Sequence, residues 1–337
     1  MQWPRPTVWE GPPYGPHMIR PMSELEQAVS VVLERCLGVQ AGENVLVVTD
    51  PHVLSVAQAL RDGAHRVGAD AVLALMDERA TDGSEPPPPI AAALQASDVF
   101  IAPTSRSLSH TQARKRASEA GARGATMPGV TEAMLARVMA LDFDAMVVRS
   151  RAVADVLDGA SSARLTCPRG SDLHLDLTGR AGQTDDGRLT DRGAFGNLPC
   201  GEGYVAPAGG EGTMVAASLA SLGLTDEPAV FTVRDGQIVA AQGGLGPAFL
   251  ERLRAHGQAG TNLAELGVGT NDRAQLGGNV LEDEKILGTV HVAFGASASI
   301  GGTVAVPIHL DAVVLDASLV VDGVAVLEAG RYVLDGG

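Results

Sequence analysis

From Ser23 to about Ala160, short wholly apolar runs alternate with stretches in which apolar residues recur every three or four positions. Ser23–Leu37 has the helical period, with Ser23 placed to cap it. Asn44–Val48 (NVLVV) lacks polar alternation and predicts a strand buried on both faces. Asp50-Pro51 then predicts a helix start, with Asp as N-cap and Pro at the first helical position, and the helix runs to about Arg66. Ala71–Leu75 and Val99–Ala102 repeat the buried-strand pattern, and Ser84–Pro89 (SEPPPP) between them predicts a surface loop. Buried strands separated by helices predict an α/β domain with a mainly parallel sheet and right-handed crossovers. No GxGxxG or GxxxxGK follows any of these strands, so this half is expected to be a scaffold or dimerisation surface.

Beyond about residue 160 the pattern changes. Turn residues such as Arg169-Gly170 and Asp185 to Gly187 separate short strands, among them Leu173–Leu177. Thr232–Ala241 reads as strand, Asp235-Gly236, strand, a strong hairpin signal. One helix at about Pro247–Ala255 follows, and the strand-rich end carries a tight turn at Val321-Asp322-Gly323. The expected second domain is α+β and largely antiparallel. The predicted organisation is an α/β scaffold domain at 21–160 and a metal-binding catalytic domain at 161–337. Residues 1–20, rich in Pro, Gly and aromatics, are expected to be a disordered extension, or to follow an upstream start codon with the true start at Met18 or Met22.

Composition narrows the function. A net charge of −15 and a pI of about 4.9 disfavour a phosphate backbone as partner, and 3% aromatic residues leave few platforms for stacking bases. There is no run of 18 uncharged apolar residues, so no membrane span is expected. Cys36, Cys167 and Cys200 are far apart and form no CxxC pair, which fits a reducing cytoplasm. Of the 25 basic residues, Lys115 and Lys285 are the lysines and the rest are arginines. A lysine kept in so arginine-rich a chain points to a need for an ammonium, or to a solvated charge in the turn Glu282 to Lys285.

The candidate chemistry lies between Asn197 and Asp311. In VPIHLDAVV (306–314), His309 and Asp311 are two apart on a predicted strand and share a face among apolar neighbours. A buried imidazole beside a buried carboxylate needs partners, and either a metal ion or a structural hydrogen bond would serve. His291 lies in another apolar strand, Leu287–Phe294. Glu265 sits in Leu263–Val268, closed by Gly267 and Gly269, and Glu202 lies between Gly201 and Gly203. Glycines beside a carboxylate let the backbone approach a ligand, and they also serve plain turns. Glu202, Glu265, His291, His309 and Asp311 together match the ligand chemistry of a hydrolytic zinc, cobalt or manganese pair. His17, His52, His65, His110, His174 and His256 lack such context and are expected to be surface or structural, and Cys200 to be buried.

Four segments, NLPCGEGYVAP (197–207), NLAELGVGTN (262–271), EDEKILGTVHVAFG (282–295) and VPIHLDAVV (306–314), resemble the signature regions of the M29 metallo-aminopeptidases, the aminopeptidase T and S family. The resemblance spans 197–314 strongly and the first half weakly. It implies an N-terminal α/β domain, a homodimer, two divalent ions (Zn, Co or Mn), and Glu202, Glu265, His291, His309 and Asp311 as ligands. The implied activity is removal of N-terminal residues from peptides or amino-acid amides. A metal-activated water would attack the scissile carbonyl, with Glu202 or Glu265 shuttling the proton. Lys285 would hold a carboxylate ligand or stabilise charge on the carbonyl oxygen.

The family's tyrosine ligand is missing: the region after His291 reads Ala296-Ser297-Ala298-Ser299. Tyr204, two residues from Glu202, is expected to pack or to wall the cleft. Ring-cleaving dihydroxypyridine dioxygenases resemble the M29 family distantly and keep the final His-x-Asp. They use one Fe(II), and a histidine stands at the position of Glu265. That activity and a non-hydrolytic protein on an M29 scaffold are the alternatives, and the expected partner is a peptide or small-molecule substrate.

Overall fold

The computed structural model describes residues 22–334. The expected extension at 1–20 lies outside them. The first helix keeps its capping box: Ser23 accepts from the Glu26 amide while the Glu26 carboxylate accepts from the Ser23 amide. It is α-helical over Glu24–Ser30 and widens to a π-helix over Val31–Cys36. Asp50 caps the next turn through the His52 amide, where a 3-10 turn, Pro51–Val53, leads into the helix Leu54–Arg66.

The strands Asn44–Thr49, Asp70–Leu75, Val99–Ala102 and Arg123–Thr126 pair in parallel, and the apolar runs of the first and third are buried, as expected. Helices at Pro88–Ala96, Gln112–Ala120, Glu132–Val138 and Phe143–Leu157 complete this part. The first of them begins inside the proline run, because Pro88 sits at a helix start, where a missing N–H costs nothing.

The rest of the chain forms a large, curled antiparallel sheet. The hairpin of Gly223–Arg234 with Gln237–Gln242 turns at Asp235-Gly236, both with positive φ, as a two-residue hairpin loop demands. One strand departs from this division: Phe195–Asn197 returns to the first sheet, parallel to Arg123–Thr126, and the chain then runs directly into Glu202–Val205 of the second sheet. Asn197 Oδ1 accepts from Thr126 Oγ1 (2.7 Å) and Ser109 Oγ (3.2 Å), so the loops of the parallel sheet are tied to the segment that leads to Glu202. No helix among the described residues is long and apolar enough to cross a membrane.

Candidate metal centre

Four neighbouring strands of the antiparallel sheet build the site: Glu202–Val205, Leu263–Gly269, Val290–Gly295 and His309–Val314. Side chains alternate between faces, and directly paired residues share one. Glu265 pairs with Ala293 and Ala293 with Asp311; Gly267 pairs with His291 and with Tyr204; Gly269 pairs with Glu202; His309 pairs with Gly295. One face therefore carries Glu202, Tyr204, Glu265, His291, His309 and Asp311. The other carries Val205, Leu266, Val268, Val290, Val292, Phe294, Leu310, Ala312 and Val314, all part of the apolar core. The apolar face fixes the register, and the register assembles the polar one.

Ligand-type atoms converge on Glu265. Its Oε1 lies 3.4 Å from His291 Nε2 and its Oε2 lies 3.2 Å from His309 Nε2. His291 Nε2 is also 3.2 Å from Glu202 Oε2, and His309 Nε2 is 3.6 Å from Asp311 Oδ1. Two overlapping clusters result, Glu202–Glu265–His291 and Glu265–His309–Asp311, each with its ligand atoms within 4.8 Å of one another. All five sequence-derived ligands thus come together.

Lys285 is not a solvated turn charge. It is 1% exposed. Its Nζ lies 2.6 Å from Glu202 Oε1, 2.8 Å from Glu284 Oε1 and 3.9 Å from Asp185 Oδ2. Asp185 and Glu284 were not anticipated as neighbours of the site. Asp185 pairs with Glu202 across the edge of the sheet, and Glu284 adjoins Lys285. Cys200 is buried, as expected, and Tyr204 is half-buried.

Burial and mutual charge set the protonation of this cluster. Burial drives Asp185 up to about 7 and Glu284 up to about 8, against the pull of the Lys285 ammonium. Burial opposes charging of His291, but Glu202 and Glu265 outweigh it and hold the ring well above its ordinary value. His309 is likewise raised against burial, by Asp311 and Glu265. Glu265 and Asp311 are held low despite burial, Glu265 by both histidines and Asp311 chiefly by His309.

The donor set fits a divalent cation. Asp185, Glu202 and Glu284 crowd around the ammonium of Lys285, and Glu265 and Asp311 lie against the two imidazoles, so the cluster lacks positive charge unless both imidazoles hold protons. His309 Nδ1 donates to the Ala296 carbonyl at 2.7 Å, so the neutral ring, once its second proton has left, has Nε2 as the lone-pair nitrogen facing Glu265 and Asp311. Glu202 Oε2 is buried without a hydrogen-bond partner.

One histidine of the first half of the chain lies within electrostatic range of this site. His110 follows the parallel strand Val99–Ala102 through the loop 103–109, yet it feels the charges of both His309 and Asp311. Desolvation, then His309 and Arg114, lower its pKa. Its segment is braced: Arg114 Nε donates to the Ser109 carbonyl at 2.8 Å, and the guanidinium lies 4.1 Å from the centre of the Phe195 ring. His110 is exposed, as expected of a surface histidine, though it lies close enough to His309 and Asp311 to feel their charge. No local sequence pattern links it to residues some 200 positions away.

A family model for 2,5-dihydroxypyridine 5,6-dioxygenase (NicX) matches residues 24–334. Among solved structures, the chain is similar to 2,5-dihydroxypyridine dioxygenase from Pseudomonas putida KT2440, with a TM-score of 0.79 and 20% identity, covering 94% of this chain and 99% of that one. It is also similar to wild-type AmpT from Thermus thermophilus, with a TM-score of 0.69 and 19% identity, covering 92% and 99%. These likenesses show a shared fold, M29-like in kind. No curated protein matches the chain in sequence. The chain belongs to the 2,5-dihydroxypyridine 5,6-dioxygenase family.

Proposed function

We propose that this member of the 2,5-dihydroxypyridine 5,6-dioxygenase family is a metal-dependent dioxygenase that opens a hydroxylated nitrogen-containing aromatic ring. The observation that carries the reading is the Glu265–His309–Asp311 cluster, with His309 Nε2 turned to the carboxylates, in a chain that matches the family over residues 24–334. Glu265, His309 and Asp311 would hold one divalent ion, Fe(II) in this reading. That is one imidazole and two carboxylates, where the usual non-haem Fe(II) triad has two imidazoles and one carboxylate; a second imidazole, His291, lies 3.4 Å from Glu265. When bound, the ion supplies the one-electron and Lewis-acid chemistry for reaction of dioxygen with the ring. Both atoms of dioxygen enter the product as one ring bond breaks, so no further reductant is consumed.

The chain's own residues supply position. The Ala296 carbonyl fixes the His309 ring, and the two histidines orient the two oxygens of Glu265. Gly267 leaves the space that the His291 ring fills, and Ala293 presents only a methyl group on the site face. We assign to His110, which is exposed and within electrostatic range of His309 and Asp311, a hydrogen bond to a ring hydroxyl of the substrate.

A second reading is a two-metal hydrolase of the M29 type. It is favoured by the second cluster, Glu202–Glu265–His291, which shares Glu265 with the first, as a carboxylate bridging two ions would. In that reading Glu202 or Glu265 is the proton shuttle.

One experiment separates the two. Protein stripped of metal is loaded under argon with Fe(II), or in air with Zn(II), Co(II) or Mn(II), and the bound ions are counted. The iron form is given 2,5-dihydroxypyridine while oxygen uptake and ring absorbance are followed; the other forms are given aminoacyl anilides. One iron per chain with matched loss of oxygen and ring absorbance supports the dioxygenase. Two ions per chain with anilide hydrolysis and no oxygen uptake overturns it in favour of the hydrolase.

A further inference from the structure

Lys285 reaches the site from below the ligands. Gly269 makes room for its segment: a Cβ there would lie 2.2 Å from the Ile286 carbonyl oxygen and 2.7 Å from the Lys285 carbonyl carbon. The Lys285 carbonyl accepts from the Asn271 amide at 2.9 Å, which pins the segment against the strand Leu263–Gly269. The ammonium is thus delivered to a buried spot ringed by carboxylates, at 2.6 Å (Glu202), 2.8 Å (Glu284) and 3.9 Å (Asp185). At 1% exposure it cannot meet a substrate carbonyl.

Glu202 is divided by this contact. Its Oε1 accepts from Lys285, while its Oε2 has no hydrogen-bond partner and lies 3.2 Å from His291 Nε2. A carboxylate free to rotate would exchange these oxygens; one anchored by an ammonium does not. We propose that Lys285 is the positioning residue of the metal centre, fixing one oxygen of Glu202 so that the other stays aimed at His291 and Glu265. Its charge also lets Asp185, Glu202 and Glu284 share one buried volume. The inference rests on the metal-centre reading in which the Glu202–Glu265–His291 cluster takes part in holding an ion. Arginine is no substitute, because its planar fork would bridge two carboxylates at once and draw Glu202 out of line.

The test uses Co(II) alone as the probe. Chelator-stripped wild type, Lys285→Arg, Lys285→Met, Glu202→Gln and the Glu202→Gln/Lys285→Arg double variant are titrated by calorimetry, and the visible absorption of the bound ion is recorded. Thermal melts establish folding. Lys285→Arg keeps the charge and is expected to melt cooperatively, yet to bind Co(II) about 10–100-fold more weakly with shifted bands. Lys285→Met should lose at least as much; should it fail to fold, the Arg variant decides. The double variant should bind no more weakly than Glu202→Gln, because Lys285 acts through Glu202. Wild-type affinity and bands in Lys285→Arg, or losses that add in the double variant, overturn the proposal while leaving the metal centre standing. Absence of Co(II) binding by the wild type overturns both together.

Discussion

A Cβ atom on Gly267 would lie 2.0 Å from Nε2 of His291, the residue paired with it across the sheet. The imidazole lies over the bare backbone of the neighbouring strand, and only glycine leaves that space. Gly267→Ala should push the ring off Glu202 and Glu265, with a stability loss of about 1–3 kcal/mol from overpacking. Metal titration and a denaturation curve check it; metal affinity should fall at least about tenfold, because a displaced ligand is a lost ligand. Unchanged affinity would mean that His291 is no ligand.

Glu265 is the residue common to both clusters, so its loss should be felt by both. Glu265→Ala should bring the metal content of purified protein to background. His309→Ala should spare a second ion, if one binds, at Glu202–Glu265–His291. Counting ions by mass spectrometry in the two variants therefore reads the architecture: a Glu265→Ala protein that keeps a full ion would place the centre elsewhere.

The legibility of this site follows from its periodicity. His309-x-Asp311 and Glu265-x-Gly267-x-Gly269 are strand patterns, and the structure puts a ligand, the space for His291 and the space for the Lys285 segment at successive positions of one face. The parallel sheet was readable from NVLVV and VFIA because buried strands leave no polar alternation. Other features depend on long-range pairing that no local pattern encodes. Phe195–Asn197 carries no strand signature of its own and joins the parallel sheet only through Arg123–Thr126. Asp185 reads as a turn residue, yet pairs with Glu202.

His110 is exposed and makes no hydrogen bond or ion pair to Glu202, Glu265, His291, His309 or Asp311. Its removal should therefore leave metal binding intact and weaken handling of the substrate. His110→Ala is expected to keep wild-type Co(II) affinity and to lose about tenfold or more in kcat/KM, the equivalent of one hydrogen bond at about 1.4 kcal/mol. Steady-state kinetics with 2,5-dihydroxypyridine, alongside a metal titration, separate the two effects. Loss of metal affinity would instead make His110 part of the ligand framework.

Away from the centre, Arg123 clasps the first helix to the parallel sheet. Its Nε donates to the Leu37 carbonyl at 2.6 Å and Nη2 to the Gly38 carbonyl at 3.1 Å, while the two Nη atoms grip Glu43 at 2.8 and 2.7 Å. The hydrogen bonds from Arg123 hold the Glu43 carboxyl below its ordinary range, against a smaller cost of burial. A depressed folded-state pKa contributes stability that is fully present above the unfolded value and is lost as pH falls through the folded one. Glu43→Gln should thus destabilise the protein at neutral pH by about 1–3 kcal/mol, the usual worth of hydrogen bonds to a charged group. The gap from wild type should hold down to the ordinary carboxylate range and close below it, as wild-type Glu43 takes up its proton. Urea denaturation of both proteins across the acid range measures this directly; a gap that stayed constant with pH would show that the clasp acts through shape and not through charge.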